Sequence, residues 1–399
     1  LVMRGVNTGG VASTVAVYVD ETPFGSSSGL VNAAILAGDF DTFDLQHIEV
    51  LRGPQGTLYG ASSLGGVLKF VTNPPQTERF ESRVRVGVDT VEGGDLGYSS
   101  VGMVNIPLSE SFAVRGVGYY GEEGGFVDSI GTAGSDIEEN INDAKSYGGR
   151  LWALYAPNDA FSLRLSAVMQ NISSTASSSV ESDADTLETL YSKLSQSQFV
   201  PEFTDVDYRI YNATMDFDLG FATLTSATSY NELESPFRTD YTTLFSAVLE
   251  AVFGLGPNEF MNEQVTKYDK VTQELRLASP SSDTFEWLAG VYYTEEKGDI
   301  TQHFVAVIPG SLTPIPGQPV LGDIGIDSEY EEIAAFTSGT IHFGERFDLT
   351  LGARYSENDQ NATQNALGAL AGGEVSYPRA TSSEDVVTYS IAPKFNINE

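Results

Sequence analysis

The sequence predicts a mainly β fold, an antiparallel up-and-down transmembrane β-barrel preceded by a small α/β domain. Three observations carry that prediction. From about residue 80 the chain repeats segments of about ten or more residues in which apolar and polar side chains alternate. The breaks between these segments sort into short and long in alternation, and aromatic residues recur eight positions apart on the apolar faces.

Twelve such segments are legible, at 80–92, 96–107, 111–123, 145–156, 160–172, 206–219, 221–234, 267–278, 284–297, 328–343, 347–358 and 384–397. In the first, Val84, Val86 and Val88 alternate with Arg83, Arg85 and Gly87, so one face is apolar and the other wet. Phe347, Leu349, Leu351, Ala353 and Tyr355 alternate with Asp348, Thr350 and Arg354 in the same way. Every even-numbered break is short, as in Leu108-Ser109-Glu110 or the single Gly220. The odd-numbered breaks are long, at 124–144, 173–205, 235–266, 298–327 and 359–383, and only Gly93-Gly94-Asp95 is tight. Tight turns at one end and long loops at the other are the pattern of an outer-membrane barrel. The pairs Phe112 and Tyr120, Phe285 and Tyr293, and Phe347 and Tyr355 lie eight positions apart. On a tilted strand that spacing rises roughly 19 Å, close to the distance between two aromatic girdles.

Composition sets limits on function. The 399 residues include 55 Asp and Glu against 21 Lys and Arg, a formal charge of −34 that excludes an extended phosphate-binding surface and hence a nucleic-acid partner. The absence of cysteine excludes disulfides, thiolate metal sites and a cysteine nucleophile. No run of about 18 apolar residues is present, so a transmembrane helix is not expected. No Ser-His-Asp arrangement has supporting sequence context, so the chain is not read as an enzyme. The spaced acids Asp39, Asp41 and Asp44, and Asp183 with Asp185, lack a full Ca²⁺-loop pattern and read as solvated charge or caps. No metal site and no cofactor are expected, and a haem ligand through His303 is disfavoured.

Residues 1–75 read as a separate α/β unit, with Asn73-Pro74-Pro75 as the break, and 76–399 as the barrel. Within the first unit stand Val17-Tyr18-Val19-Asp20, the run Ile48-Glu49-Val50-Leu51-Arg52-Gly53-Pro54-Gln55-Gly56-Thr57-Leu58-Tyr59-Gly60, and Gly65-Gly66-Val67-Leu68. A phosphate-binding loop is disfavoured because Gly-Lys-Ser/Thr is missing. The run closely resembles the plug domain of TonB-dependent outer-membrane receptors, and Phe285 to Tyr293 resembles barrel strands of that family. The resemblance implies a plug inside a barrel of twenty-two strands, of which about twelve are present here. It also implies a chain truncated at both ends, without the N-terminal TonB box.

By the same resemblance the intact protein is a multi-pass barrel of the Gram-negative outer membrane. It would import a large scarce nutrient, foremost a ferric siderophore, powered by the TonB–ExbB–ExbD complex. Oligosaccharide or cobalamin import, and a passive porin or adhesin, are the alternatives. Such a plug is expected to be polar-anchored rather than apolar-welded to the wall. Glu49 and Arg52 suit that anchoring, with Arg83, Arg85, Arg164, Glu286 and Arg354 as wall partners or with each other, while Gly53-Pro54 forms a tight turn. Ligand contacts are expected from the apex at Thr22 to Gly38, with Phe24 and Asn32, and from Tyr241, Phe245 and Phe253 in an outward loop. Residues 186–194 read as a short amphipathic helix, and both that loop and 235–266 as lids.

Overall fold

The computed structural model describes residues 3, 5–6, 13–31, 40–191, 194–344 and 346–397. Its N-terminal sheet contains β1 (Val15–Val19), β2 (Thr22–Phe24), β3 (Leu45–Arg52) and β4 (Gly66–Thr72), with α1 (Gly56–Tyr59) between the last two. The spatial order is β2-β1-β4-β3, with β1 and β4 parallel. Asp20 turns the chain between β1 and β2 at φ 52°, and its carboxylate accepts the N–H and hydroxyl of Thr72 at 2.9 and 2.7 Å. Gly66 sits at φ 149°, where a Cβ would lie 2.3 Å from the Leu51 carbonyl oxygen, so no other residue fits the approach of β3 to β4.

The rest of the chain builds one large sheet. Its early strands are β5 (Glu81–Thr90), β6 (Leu96–Ser109) and β7 (Phe112–Glu123), followed by the short loop strands β8 (Asp128–Ile130) and β9 (Ile137–Glu138). Then come β10 (Ala144–Asn158), β11 (Phe161–Ser174), the short β12 (Ser195–Gln196), β13 (Phe203–Asp218) and β14 (Thr223–Asp240). After α2 (Thr242–Phe253) follow β15 (Glu259–Ala278), β16 (Phe285–Val307), β17 (Gly322–Phe343), β18 (Phe347–Leu367), β19 (Val375–Ser376) and β20 (Ala380–Phe395). The large sheet has 13 strands in sequence order from β5 to β18, with β19 and β20 both on β18. Loop strands β8, β9 and β12 form a separate small sheet. Each of the twelve segments read from the sequence falls on one long strand, and the alternation of tight turns and long connections is present as expected.

Two expectations fail in the loops. Strands β14 to β18 run on through much of 235–266, 298–327 and 359–383, and β16 reaches 23 residues. That is about 76 Å of chain, or some 50 Å of height at a 45° tilt, against a lipid band of about 25 Å. Above the lipid both faces are wet, so the alternation fades although the backbone pairing continues. The helix expected at 186–194 is instead a turn, with Leu187 at φ 59° and a bridge from Ser182 to Thr189; residues 192 and 193 lie outside the described set. The Asp183 carboxylate accepts the Thr186 and Asp185 N–H groups at 2.8 and 3.0 Å, which lowers its pKa and closes the turn. By contrast, 242–253 is helical, stopped by Gly254 at φ 64°.

Outward positions carry a belt of exposed apolar side chains, among them Val84, Leu151, Leu165, Leu275, Val291 and Leu351. Exposed Phe285 and Phe343 lie toward the tight turns, and exposed Tyr120, Tyr147, Tyr230 and Tyr355 toward the loops. Among the described residues no helix is long and apolar enough to cross a membrane. Leu351 lies midway between Phe347 and Tyr355, and Leu351→Arg is expected to destabilise the inserted sheet by about 2–4 kcal/mol. Urea unfolding from lipid vesicles measures it; a loss below about 0.5 kcal/mol, typical of a wet surface site, would refute the belt.

Candidate functional site

The N-terminal sheet lies against the inner face of the wall, held by four groups of contacts. The first grips residues 40–44, just before β3. Arg115 Nε and Nη2 donate to the Asp44 carboxylate at 2.7 and 2.6 Å, and Arg83 Nη2 adds a third bond at 2.6 Å. Arg150 bonds the Asp41 carboxylate at 2.8 Å and the Asp41 carbonyl at 2.7 Å, and also the Phe43 carbonyl. The Arg85 guanidinium lies 5.0 Å from the Phe43 ring centroid and that of Arg150 lies 5.1 Å from Phe40. Asp41 and Asp44 are therefore partners of buried guanidinium groups, not the solvated charges expected; Asp39 lies outside the described residues.

A second contact joins Glu21, at the β1–β2 turn, to Lys69 of the same sheet at 3.0 Å and to Arg276 of β15 at 3.2 Å. Burial by itself raises the Glu21 carboxyl, but the Lys69 ammonium and Arg276 guanidinium outweigh it and hold the group below its ordinary range. Third, the segment Pro23 to Ser28 is tied by its backbone. Asn231 donates to the Pro23 carbonyl at 3.1 Å, Tyr268 and Lys270 donate to the Gly25 carbonyl at 2.8 and 3.1 Å, and Lys270 reaches Ser27 Oγ at 2.8 Å. Glu296 accepts the Ser27 N–H at 2.8 Å and the Ser26 hydroxyl, and Gln360 donates to Ser28 Oγ at 2.6 Å. In the fourth contact the turn at Gly60 lies against Arg354, whose Nη2 would be 2.9 Å from a Cβ there. Arg354 is itself held by Glu332 at 2.5 Å.

The interface is not purely polar. Val17, Val19, Phe24 and Phe70 share one buried cluster with the wall residues Val168, Tyr208, Ile210 and Leu233. The polar anchoring expected is thus joined by an apolar contact that the expectation left out. That contact also relocates Phe24, which stacks 4.8 Å from Tyr208 and is not offered to a ligand.

The anchors expected from the motif lie elsewhere. Glu49 pairs with His47 at 2.9 Å, Arg52 and Pro54 are exposed, and none of them bonds the wall among the described residues. Strand β3 is the sheet edge farthest from β2, and positions 49 and 52, three apart, sit on opposite faces and cannot pair with each other. Gly53 takes φ 91° and donates its N–H to the Gly65 carbonyl at 3.0 Å, the turn role expected. Of the wall residues proposed as partners, Arg83, Arg85 and Arg354 do meet the N-terminal sheet, at Asp44, Phe43 and Gly60. Glu286 instead lies by the turn at Ser282 and His342, and Arg164 contacts no group of the N-terminal sheet among the described residues.

At the mouth, Tyr241 precedes α2 with its ring 6.0 Å from Phe245, Phe245 is exposed, and Phe253 packs on the cluster of Leu249, Leu255 and Phe260. Asn32 lies outside the described residues. His303 pairs with Asp323 on the outward face, away from the lumen. The residues missed were Glu21, Asp41, Asp44, Arg115, Arg150, Lys270 and Glu296. Parity held the signal: Arg115 alternates in step with Ala113 and Val117, and Arg150 with Trp152, on the inner face.

Family models match both parts of the chain: a TonB-dependent receptor plug domain over residues 1–67, and a TonB-dependent receptor-like β-barrel over residues 169–398. The chain belongs to the TonB-dependent receptor family, whose barrels lie in the outer membrane. It is 41% identical over 63 residues to the pesticin receptor of Yersinia pestis, covering 16% of this chain and 8% of that protein. It is 36% identical over 73 residues to the ferrichrome outer membrane transporter/phage receptor of Escherichia coli K12, covering 16% of this chain and 10% of that protein. In fold it resembles the ferric yersiniabactin uptake receptor FyuA of Yersinia pestis, with a TM-score of 0.76, 17% identity, and 97% of this chain on 54% of that one. The chain thus spans about half the length of that receptor.

Two predictions follow from the anchors. Asp44→Asn leaves buried Arg115 with only the longer Glu81 contact at 3.4 Å, at a cost of up to about 3–5 kcal/mol. Hydrogen exchange of β3 and β4 should rise accordingly, and unchanged protection refutes the anchor. Because the folded pKa of Glu21 is depressed, its contribution is present above the unfolded value and is lost as pH falls through the folded one. Plug protection should therefore weaken below about pH 4 in the parent and less so in Glu21→Gln. Equal acid sensitivity in both proteins would remove Glu21 from the account.

Proposed function

We propose that the protein takes part in energised import of a ferric siderophore across the outer membrane, with the TonB–ExbB–ExbD complex as its source of work. The observation that carries this reading is the seating of the plug on discrete charge-assisted bonds from β5, β7, β10 and β15. Such bonds can be broken by a directed pull and remade with the plug in register. Two of the similar proteins are named for ferrichrome and ferric yersiniabactin, which favours an iron chelate over a sugar or cobalamin. In this reading the wall arginines hold the plug shut, the outward loops capture the ligand, and the chain performs no catalytic step.

Cells expressing the gene and given radiolabelled ferric siderophore should accumulate iron, and should stop doing so when an uncoupler collapses the proton gradient. Accumulation that persists after uncoupling identifies a passive barrel and overturns the proposal.

A further inference from the structure

The charge of this chain is sorted by face and by height. Side chains that touch the plug fix which parity faces inward: Lys270 on β15, Glu296 on β16 and Gln360 on β18, all even-numbered. Those three stand in one cross-strand row with Tyr330 of β17. Four residues farther toward the loops, the inward row is Thr266, Ile300, Ile326 and Gln364. The next is Gln264, Gln302, Ile324 and Ala366, with Gln302 donating to Gln264 at 2.6 Å. Neither row holds a charged side chain. On the outer face at the same height stand Lys267, Asp299 and Asp327, so the neutrality belongs to the lumen and not to the strands.

The loops above continue the pattern. Residues 308–321 contain no Asp, Glu, Lys or Arg, the β18–β20 connection 368–379 holds only Glu374 and Arg379, and α2 carries Glu250 alone while exposing Leu244, Phe245, Val248 and Val252. Where the plug segment Gly29–Leu30 meets Gln360, Ala362, Ala380 and Ser382 there is a cavity of about 320 Å³, again with no charged side chain in its lining. The acids gather across the mouth in 124–143, which has five and no base. Inward cations lie lower, at plug level, where Arg83, Arg115, Arg150, Lys270, Arg276 and Arg354 are each matched by a carboxylate and Arg85 lies over the Phe43 ring.

We infer that the ligand captured over β15 to β18 is an electroneutral chelate with dense hydrogen-bonding oxygens, of the ferric trihydroxamate type, and not an anionic one. This rests on the siderophore reading above. An anion entering here meets acidic loops on one side and, on the other, the amide and aliphatic groups of these rows, which among the described residues hold no cation to offset its desolvation. Three hydroxamates cancel the charge of ferric iron, whereas three catecholates leave it strongly negative. Asn and Gln amides can bond the oxygens of the first without charge, and the aliphatic rows pack its carbon frame.

The test is binding of three probes to the full chain: a ferric trihydroxamate, a ferric tricatecholate and ferric citrate. The trihydroxamate is expected to bind at least about tenfold tighter than either anion. Ile326→Arg and Gln302→Arg, which place a cation in the neutral rows, should narrow or reverse that ratio, while Lys267→Ala on the outer face should not move it. An anionic chelate bound as tightly as the neutral one overturns the inference and leaves the siderophore reading standing. Binding of none of the three removes that reading and the inference with it.

Discussion

A strand that crosses hydrocarbon must pair every backbone N–H and C=O with its neighbours, because nothing in the lipid can replace a missing partner. The rest of this structure follows from that condition. It forces continuous ladders between sequential strands, which in turn fix side-chain parity: one face for lipid, the other for the lumen. Arginines in the middle of the spanning part are then best placed pointing inward. Arg83, Arg115, Arg150, Arg276 and Arg354 do so, and the plug supplies Asp44, Asp41 and Glu21 where the first four arrive. The anchors are thus a consequence of the wall's relation to lipid as much as of the plug.

Those anchors share the seam with an apolar cluster, and the combination constrains how the plug can move. Ion pairs of this kind are strong only while both partners stay desolvated in good geometry. Val17, Val19, Phe24 and Phe70 pack on Val168, Ile210 and Leu233 in the same seam, and of the anchoring cations Arg115 and Arg150 are fully buried. Displacing the whole plug at once would expose that apolar surface together with several unpaired charges. Peeling from one end, breaking one contact group at a time, meets smaller steps, and the four groups are distributed along the plug sequence in a way that permits it.

The wall was legible in the sequence because lipid imposes period-two alternation on every crossing. Legibility stopped where the imposition stops. Gly298-Asp299-Ile300-Thr301-Gln302 reads as a polar loop, yet it pairs fully with β15 and β17, because above the membrane a strand needs only its ladder. The plug motif located its turn at Gly53 correctly, since backbone demands are local. It misled about Glu49 and Arg52, whose partners depend on which edge of a four-stranded sheet approaches the wall. Sequence proximity to a glycine turn carries no information about that. Phe24 was misread for a related reason: an aromatic in an apex segment is as suited to packing on Tyr208 as to meeting a ligand.

The overall acidity also acquires a location. A formal charge of −34 spread evenly would repel any anion at every depth of the lumen. Instead the two inward rows above Lys270 are neutral, most plug-level charges are paired, and five acids without a base gather in 124–143. Charge on the outer face of strands that overtop the lipid keeps that surface wet and prevents it from packing on neighbours. Beside it, the inner face of β15 to β18 carries no charge in the two rows above Lys270. The same alternation that turns arginines inward at membrane height turns Lys267, Asp299 and Asp327 outward above it, so the sheet separates a charged exterior from an uncharged path using one period and no additional device.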